Sequence, residues 1–476
     1  MRAAKILIII AVVAALMTYV VSSGYSDGFF GIPLRCSLDT CIRAVEGNNG
    51  DFANYLRAAD LLIQGKLITD QSNWWLIILW PPGMAAYFAT LSILSLGTST
   101  FSVVHLGVSI GLWTFLLTWS IIQGKDIRSL VIGAMSATLL LGSAPFRNWM
   151  FGDSIFYSET ISIGLFSLSI ATLCLAVMRV DSRSLKSLIA ISGASGLLMA
   201  ISSYLRAVFD LVGLALTAIF VILLAISVLR TKFSCGNSSE NFNSTSRTTD
   251  KSLMVVLASW LISFLGTTLP WRLVLARNLG LSSVTFSPAS PQVWASGWIP
   301  NEHGLPDWAL SAGINGFCVS YPETCAAIAV AEYASNSPYS GFGAYTYDQF
   351  RSAALGEILT NPMPWLISRA DFAIKNLLTA AGGVQVWGLI LILSSSIALF
   401  CATMTLHRSL SSSFHRVSRL ILSFIPLGSG IFTVVPLMVG SYEPRYFYPI
   451  LIMPLVVRTF LTARPEGSGV REITES

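Results

Sequence analysis

The chain has 476 residues, of which 54% are hydrophobic and only 11% charged; its mean hydropathy is +0.68. Soluble domains carry roughly 25% charged residues, so this composition excludes an ordinary soluble protein and points to an integral membrane protein. The net charge of +5 is scattered along the chain, and without a long basic block no nucleic-acid partner is expected.

The first apolar run, 6–21, follows Arg2 and Lys5. No small-x-small cleavage site follows it, so it reads as a retained first helix rather than a signal peptide. A crossing of the hydrocarbon core, about 30 Å thick, takes about 20 such residues. Basic residues favour the cytoplasmic side, so Arg2 and Lys5 hold the N-terminus inside and residues 22–74 fall outside. Cys36 and Cys41 lie in that first loop, and Cys318 and Cys325 lie in the largest loop. Two close pairs predict two short disulfides, each worth about 2 kcal/mol by loop entropy. Both loops then face an oxidising compartment. Within the first loop, DFANYLRAADLLIQG predicts a helix over 52–64 with Asp51 as its N-cap. Phe52, Tyr55, Leu56, Ala59 and Ile63 would share one face.

Three apolar stretches follow, 75–97, 101–123 and 129–146. Lys125 and Arg128 belong inside and Asp153 outside, which demands an even number of crossings. The stretch 75–97 is broken by Trp80, Pro81, Pro82 and Gly83, and Pro82 has no backbone donor to offer in lipid. It is therefore expected to be re-entrant or interfacial. Further crossings are expected near 153–178, 187–204, 207–229, 253–270, 386–405, 420–440 and 446–463. Arg179, Arg183 and Lys186 mark an inner loop. An irregular inner loop is expected from Arg230 to Lys251, and another around His407, Arg408, His415, Arg416 and Arg419. The expected fold is an all-α polytopic membrane protein of about ten crossings, in a range of nine to twelve. It divides into a membrane module over 1–270, a large outer loop over 271–385 with surface helices, and terminal crossings over 386–476.

Ionisable groups at a membrane are costly and raise a functional question. In this topology Asp51, Asp153, Glu159, Arg206, Arg272, Arg277, Glu443 and Arg445 all gather on the outer side. Each also has a structural reading. Asp51 can cap a helix for about 1 kcal/mol. Asp153 or Glu159 can complement a helix N-terminus. Arg206 can bridge to Asp210, and Arg445 to Glu443. Tyr446, Tyr448 and Trp271 can be interfacial anchors.

Carboxylates and arginines on an outer face, where no nucleotide sugar is supplied, suit group transfer from a donor carried on a lipid phosphate. Arginines receive the departing phosphate through charge-assisted bonds, and a carboxylate deprotonates the attacking hydroxyl. Dinucleotide, P-loop and HExxH signatures are absent, and the four histidines, His105, His303, His407 and His415, are scattered. The GVSIG match at 107–111 lies inside an apolar run rather than on a strand-to-helix turn. It reads as helix packing by small residues.

In order along the chain come DFANYLRAADLLIQG, LWPPGMAAY, GDSIFYSETI, GLLMAISSYLRAV, LPWRLVLARN, NPMPWLISRADFAIKNLL and EPRYFYP. This series resembles the GT-C glycosyltransferases, in the branch that holds the protein O-mannosyltransferases and the aminoarabinose transferase of lipid A. The resemblance implies GT-C architecture, with surface helices in the first and largest loops. It implies an inverting transferase of the inner membrane, working on its periplasmic side with a polyprenyl-phosphate-linked sugar as donor. The acceptor would be a hydroxyl of an envelope glycan such as lipopolysaccharide, a lipid or a protein. Asp51 would be the general base and Glu159 the second carboxylate. Arg206, Arg272 and Arg445 would hold the donor phosphate, and Tyr55, Asp153 and Tyr446 would shape the pocket. Phe52 stands where the family often has a second adjacent acid, which shifts that role to Glu159. The basic residue that often precedes the Pro-Pro pair is replaced by Leu79 and Trp80, which shifts phosphate contacts to the later arginines. Some members use a divalent metal; none is expected to be essential here. The rival readings are an O-antigen polymerase or ligase, which would lean on arginines within 271–385, and a transporter or flippase, which would show an internal repeat.

Overall fold

The computed structural model describes residues 2–24, 35–45, 51–70, 73, 76–77, 81–123, 126–143, 146–147, 156–180, 184–234, 244–279, 362–383, 386–410, 416–440 and 447–462. Every regular element among them is a helix. In chain order these are α1 (Arg2–Gly24), α2 (Leu38–Ala44), α3 (Asp51–Ile63), α4 (Lys66–Thr69), α5 (Gly83–Leu94), α6 (Phe101–Gln123), α7 (Ile127–Gly142), α8 (Glu159–Met178), α9 (Leu185–Leu205) and α10 (Ala207–Ser234). After them come α11 (Ser244–Leu279), α12 (Pro362–Ala380), α13 (Val386–Ser409), α14 (Arg416–Ser423), α15 (Ile425–Gly440) and α16 (Tyr448–Thr462). Seven of these, α1, α6, α8, α9, α10, α11 and α13, are long and apolar enough to cross a membrane, and α5, α7 and α16 are shorter apolar helices. The chain is an all-helical membrane protein.

Two bonds fix which ends lie together. Lys5 Nζ donates to the carbonyl of Ile122 at 3.2 Å, so the chain start sits beside the end of α6. The Cys36 backbone N–H donates to Ser102 Oγ at 3.0 Å, so the first loop sits beside the start of α6. Cys36 and Cys41 are disulfide-bonded, with Cα atoms 5.5 Å apart, and both are buried against the helices. The other expected pair, Cys318 and Cys325, lies outside the described residues. The bond from Tyr19 Oη to the Leu141 carbonyl, 3.0 Å, places the end of α7 beside the end of α1. A short turn leads from α5 into the start of α6. The 12 residues of α5 span about 18 Å, shorter than the hydrocarbon core of about 30 Å.

Helices α8, α9 and α11 form the tightest part of the bundle. Ser169 Oγ donates to the Ser195 carbonyl and Ser195 Oγ to the Ser169 carbonyl, both at 2.8 Å. Hydroxyls and small residues let helices approach closely where lipid gives no hydrophobic drive. A Cβ on Gly196 would lie 2.4 Å from the Trp260 carbonyl oxygen, and backbone cannot yield as a side chain can. Gly196→Val is therefore expected to destabilise the protein by about 1–3 kcal/mol, read as a lowered thermal midpoint in detergent. Gly107→Val, with nothing within 4 Å of its Cβ, should leave the midpoint unchanged.

That contrast corrects one reading. The GVSIG segment lies within α6, as expected, but Gly107 and Gly111 face open space rather than packing against a helix. Three boundaries also move. The inner loop expected over 230–251 is helical to Ser234 and again from Ser244. The crossing expected at 420–440 is divided into α14 and α15. The domain boundary expected after Pro270 falls inside α11, which runs to Leu279 with Pro270 in its interior. Membrane helices tolerate a proline when a neighbouring hydroxyl supplies a partner for the backbone. Tyr204 Oη donates to the Thr267 carbonyl at 2.8 Å, one residue past Gly266, whose carbonyl loses its helical donor to the proline.

Candidate functional site

The first turn of α8 is anchored from two sides. Trp113, fully buried in α6, donates from Nε1 to the Thr160 carbonyl at 2.7 Å. A Cβ on Gly164 would lie 2.7 Å from Leu112, so α8 lies close along α6. Since Gly164 is level with Leu112, Glu159 sits roughly 9 Å from the level of the start of α6 at 1.5 Å per residue. The approach to α8 is also held. The Phe156 ring stacks on His105 with centroids 4.9 Å apart, and Tyr87 Oη is 3.0 Å from His105 Nδ1. Tyr157 meets the Phe52 ring at 5.6 Å, which brings the start of α3 to the same place.

Arg206 follows α9 as its C-cap and points its side chain back to that turn. Its Nη1 lies 2.5 Å from Glu159 Oε1 and donates to Ser158 Oγ at 3.0 Å. Ser158 Oγ in turn donates to Glu159 Oε2 at 3.2 Å. The Glu159 side chain is 1% exposed and that of Arg206 11%. A few residues on, Asp210 in the first turn of α10 pairs with Arg272 of α11. The expected Arg206–Asp210 bridge is thus replaced by two others, Glu159–Arg206 and Asp210–Arg272. Facing helices carry opposite charges at the same depth, and a buried pair needs its partner in contact.

An apolar groove of about 600 Å³ opens beside these pairs. Its walls include Pro82, Tyr87, Ile161, Tyr204, Leu205 and Trp271. Leu205 and Trp271 are the chain neighbours of Arg206 and Arg272, so the groove passes the backbone that carries both arginines, although neither side chain lines it. Its size falls within the roughly 300–1,000 Å³ of small-molecule sites. The groove wall depends on one close approach: a Cβ on Gly83 would lie 2.4 Å from the Tyr204 carbonyl carbon and oxygen. Gly83→Ala is expected to push α5 off the end of α9 and cost about 1–3 kcal/mol, again visible as a lower thermal midpoint.

Of the sequence-predicted site residues, Glu159 and Arg206 come together, and Arg272 pairs with Asp210, four residues after Arg206. Asp51 begins α3, a one-residue difference from its expected place as cap. Tyr55 is 3% exposed and lies in the main core beside Leu56 and Ala59, not on the groove wall. Of its expected face-mates, Ile63 is exposed instead. Asp153, Arg445 and Tyr446 lie outside the described residues. Ser158 and Tyr204 join the site without having been singled out, their only signal being adjacency in sequence to Glu159 or Arg206; Asp210 was named only as a partner for Arg206 and pairs with Arg272 instead. Among the described residues no three His, Cys, Asp or Glu side chains gather as a metal site. No protein-family model matches this chain, and neither a curated protein nor a solved structure matches it.

Proposed function

We propose that this protein is an inverting GT-C-type glycosyltransferase. It moves a sugar from a polyprenyl-phosphate carrier to a hydroxyl on the periplasmic side of the inner membrane. The observation that carries this reading is the buried Ser158–Glu159–Arg206 cluster set against an apolar groove at the disulfide-bearing end of the helices. A donor with a long apolar chain and an anionic head asks for this pairing of a greasy slot and adjacent guanidiniums. The chain fills the groove, each buried CH₂ contributing about 0.8 kcal/mol. Arg206 and Arg272, with Arg445, receive the phosphate as the glycosidic bond breaks.

Asp51 takes the proton of the acceptor hydroxyl as its oxygen attacks the anomeric carbon from the face opposite the phosphate. The new bond therefore has inverted configuration, and polyprenyl phosphate leaves carrying the electron pair. Glu159 holds Arg206 in place and supports the acceptor. The reconstituted full chain should consume a labelled polyprenyl-phosphate sugar and release polyprenyl phosphate when offered envelope glycan, lipid and protein acceptors. Consumption of diphosphate-linked glycans alone, or of no lipid-linked sugar, would overturn the assignment.

A further inference from the structure

The opposite, cytoplasmic end of the molecule holds a charge that the transfer site does not use. Arg458 lies on α16, four residues before its end at Thr462, or about 6 Å along the axis. It is half-buried, and its Nη1 donates to Thr405 Oγ1 of α13 at 2.9 Å. No carboxylate pairs with it among the described residues. A hydroxyl satisfies one donor of five but does not balance the charge. Such a group in a membrane helix calls for an anionic partner.

A second arginine stands close by. Ser129 Oγ donates to the Thr462 carbonyl at 3.1 Å, which fastens the start of α7 to the end of α16 and brings exposed Arg128 beside them. The Arg128 charge reaches both Arg458 and Asp126. Asp126 is fully exposed and accepts from the Ser129 backbone N–H at 2.7 Å as the cap of α7. The stacked Trp119 and Phe460 rings, 5.0 Å apart, form an apolar surface at the same end of the bundle, with Phe460 two residues nearer the end of α16 than Arg458. Two guanidiniums and an apolar ring surface thus lie at this one end.

We propose that the surface formed by the start of α7 and the ends of α13 and α16 binds the phosphate headgroup of an anionic phospholipid from the cytoplasmic leaflet. Arg458 and Arg128 donate to the phosphate, and Thr405 fixes the Arg458 fork. Basic pockets between membrane helices on this side are suited to such headgroups, and a guanidinium matches phosphate geometry where an ammonium does not.

Native mass spectrometry of the purified full chain, titrated with phosphatidylglycerol or phosphatidylcholine, tests this. Phosphatidylglycerol should be retained in preference to phosphatidylcholine, and inorganic phosphate should not displace it. Arg458→Gln and Arg128→Gln should each weaken retention about tenfold or more. Arg458→Lys, which keeps the charge and guards against misfolding, should weaken it less. Lys186→Gln, which removes an exposed charge at the same end, should change nothing. Equal retention of the two lipids, or an equal loss in Lys186→Gln, would overturn the site. Displacement by inorganic phosphate would overturn its assignment to a lipid.

Discussion

Glu159→Gln should cripple the protein twice over. The substitution leaves the Arg206 guanidinium facing a neutral amide in a setting where the native carboxylate is 1% exposed. Breaking one side of a buried pair costs about 3–5 kcal/mol, because the remaining charge keeps its desolvation penalty and loses its compensation. The thermal midpoint should drop accordingly. Transfer should fall by about a hundredfold or more as Arg206 loses the position from which it meets phosphate. The double variant Glu159→Gln with Arg206→Gln separates the two effects. Removing both charges should recover much of the stability, since replacing a whole buried pair is often close to neutral, yet transfer should stay lost. Recovered activity in the double variant would show that the pair serves folding alone.

Asp51→Asn is the complementary case. Asparagine serves a helix start about as well as aspartate, so α3 should keep its place and the thermal midpoint should move little. A general base contributes about 10²–10⁴ in rate, and asparagine cannot take the proton. Transfer measured in single turnover should therefore fall by that factor with donor binding preserved. Near-wild-type transfer would remove Asp51 from the role of base. A fall in donor binding without a fall in rate would give it a binding role instead. Read together, the two variants distinguish a residue that acts on the acceptor proton from one that holds the phosphate receptor.

Much of the architecture is visible in the residues because the bilayer imposes few solutions. Apolar length names the crossings, and basic loops orient them. Pro81 and Pro82 stand just before α5, a helix shorter than a full crossing. Pro270 misled for the same reason that Pro82 informed. A proline lacks a donor in both places, but α11 runs on through Pro270 to Leu279, tied to a neighbouring helix by the Tyr204 hydroxyl on the Thr267 carbonyl. The GVSIG glycines misled in a similar way. Small residues permit close packing, and only the neighbours decide whether anything approaches. At Gly196 a carbonyl does; at Gly107 nothing does.

By itself the amino-acid order determined that the chain is helical and rich in segments apolar enough to cross a membrane. Those properties follow from transfer free energy, which is local and additive along a segment. Tertiary structure alone decided the partners: Glu159 with Arg206 rather than Arg206 with Asp210, Ser158 bridging the first pair, Arg272 completing the second, and a groove beside both. Ion pairing acts over a few ångströms, so it depends on the rotation and depth of each helix against its neighbours. Contacts such as Trp113 on Thr160 and Gly164 on Leu112 set that rotation and depth, and no spacing within a single segment encodes them.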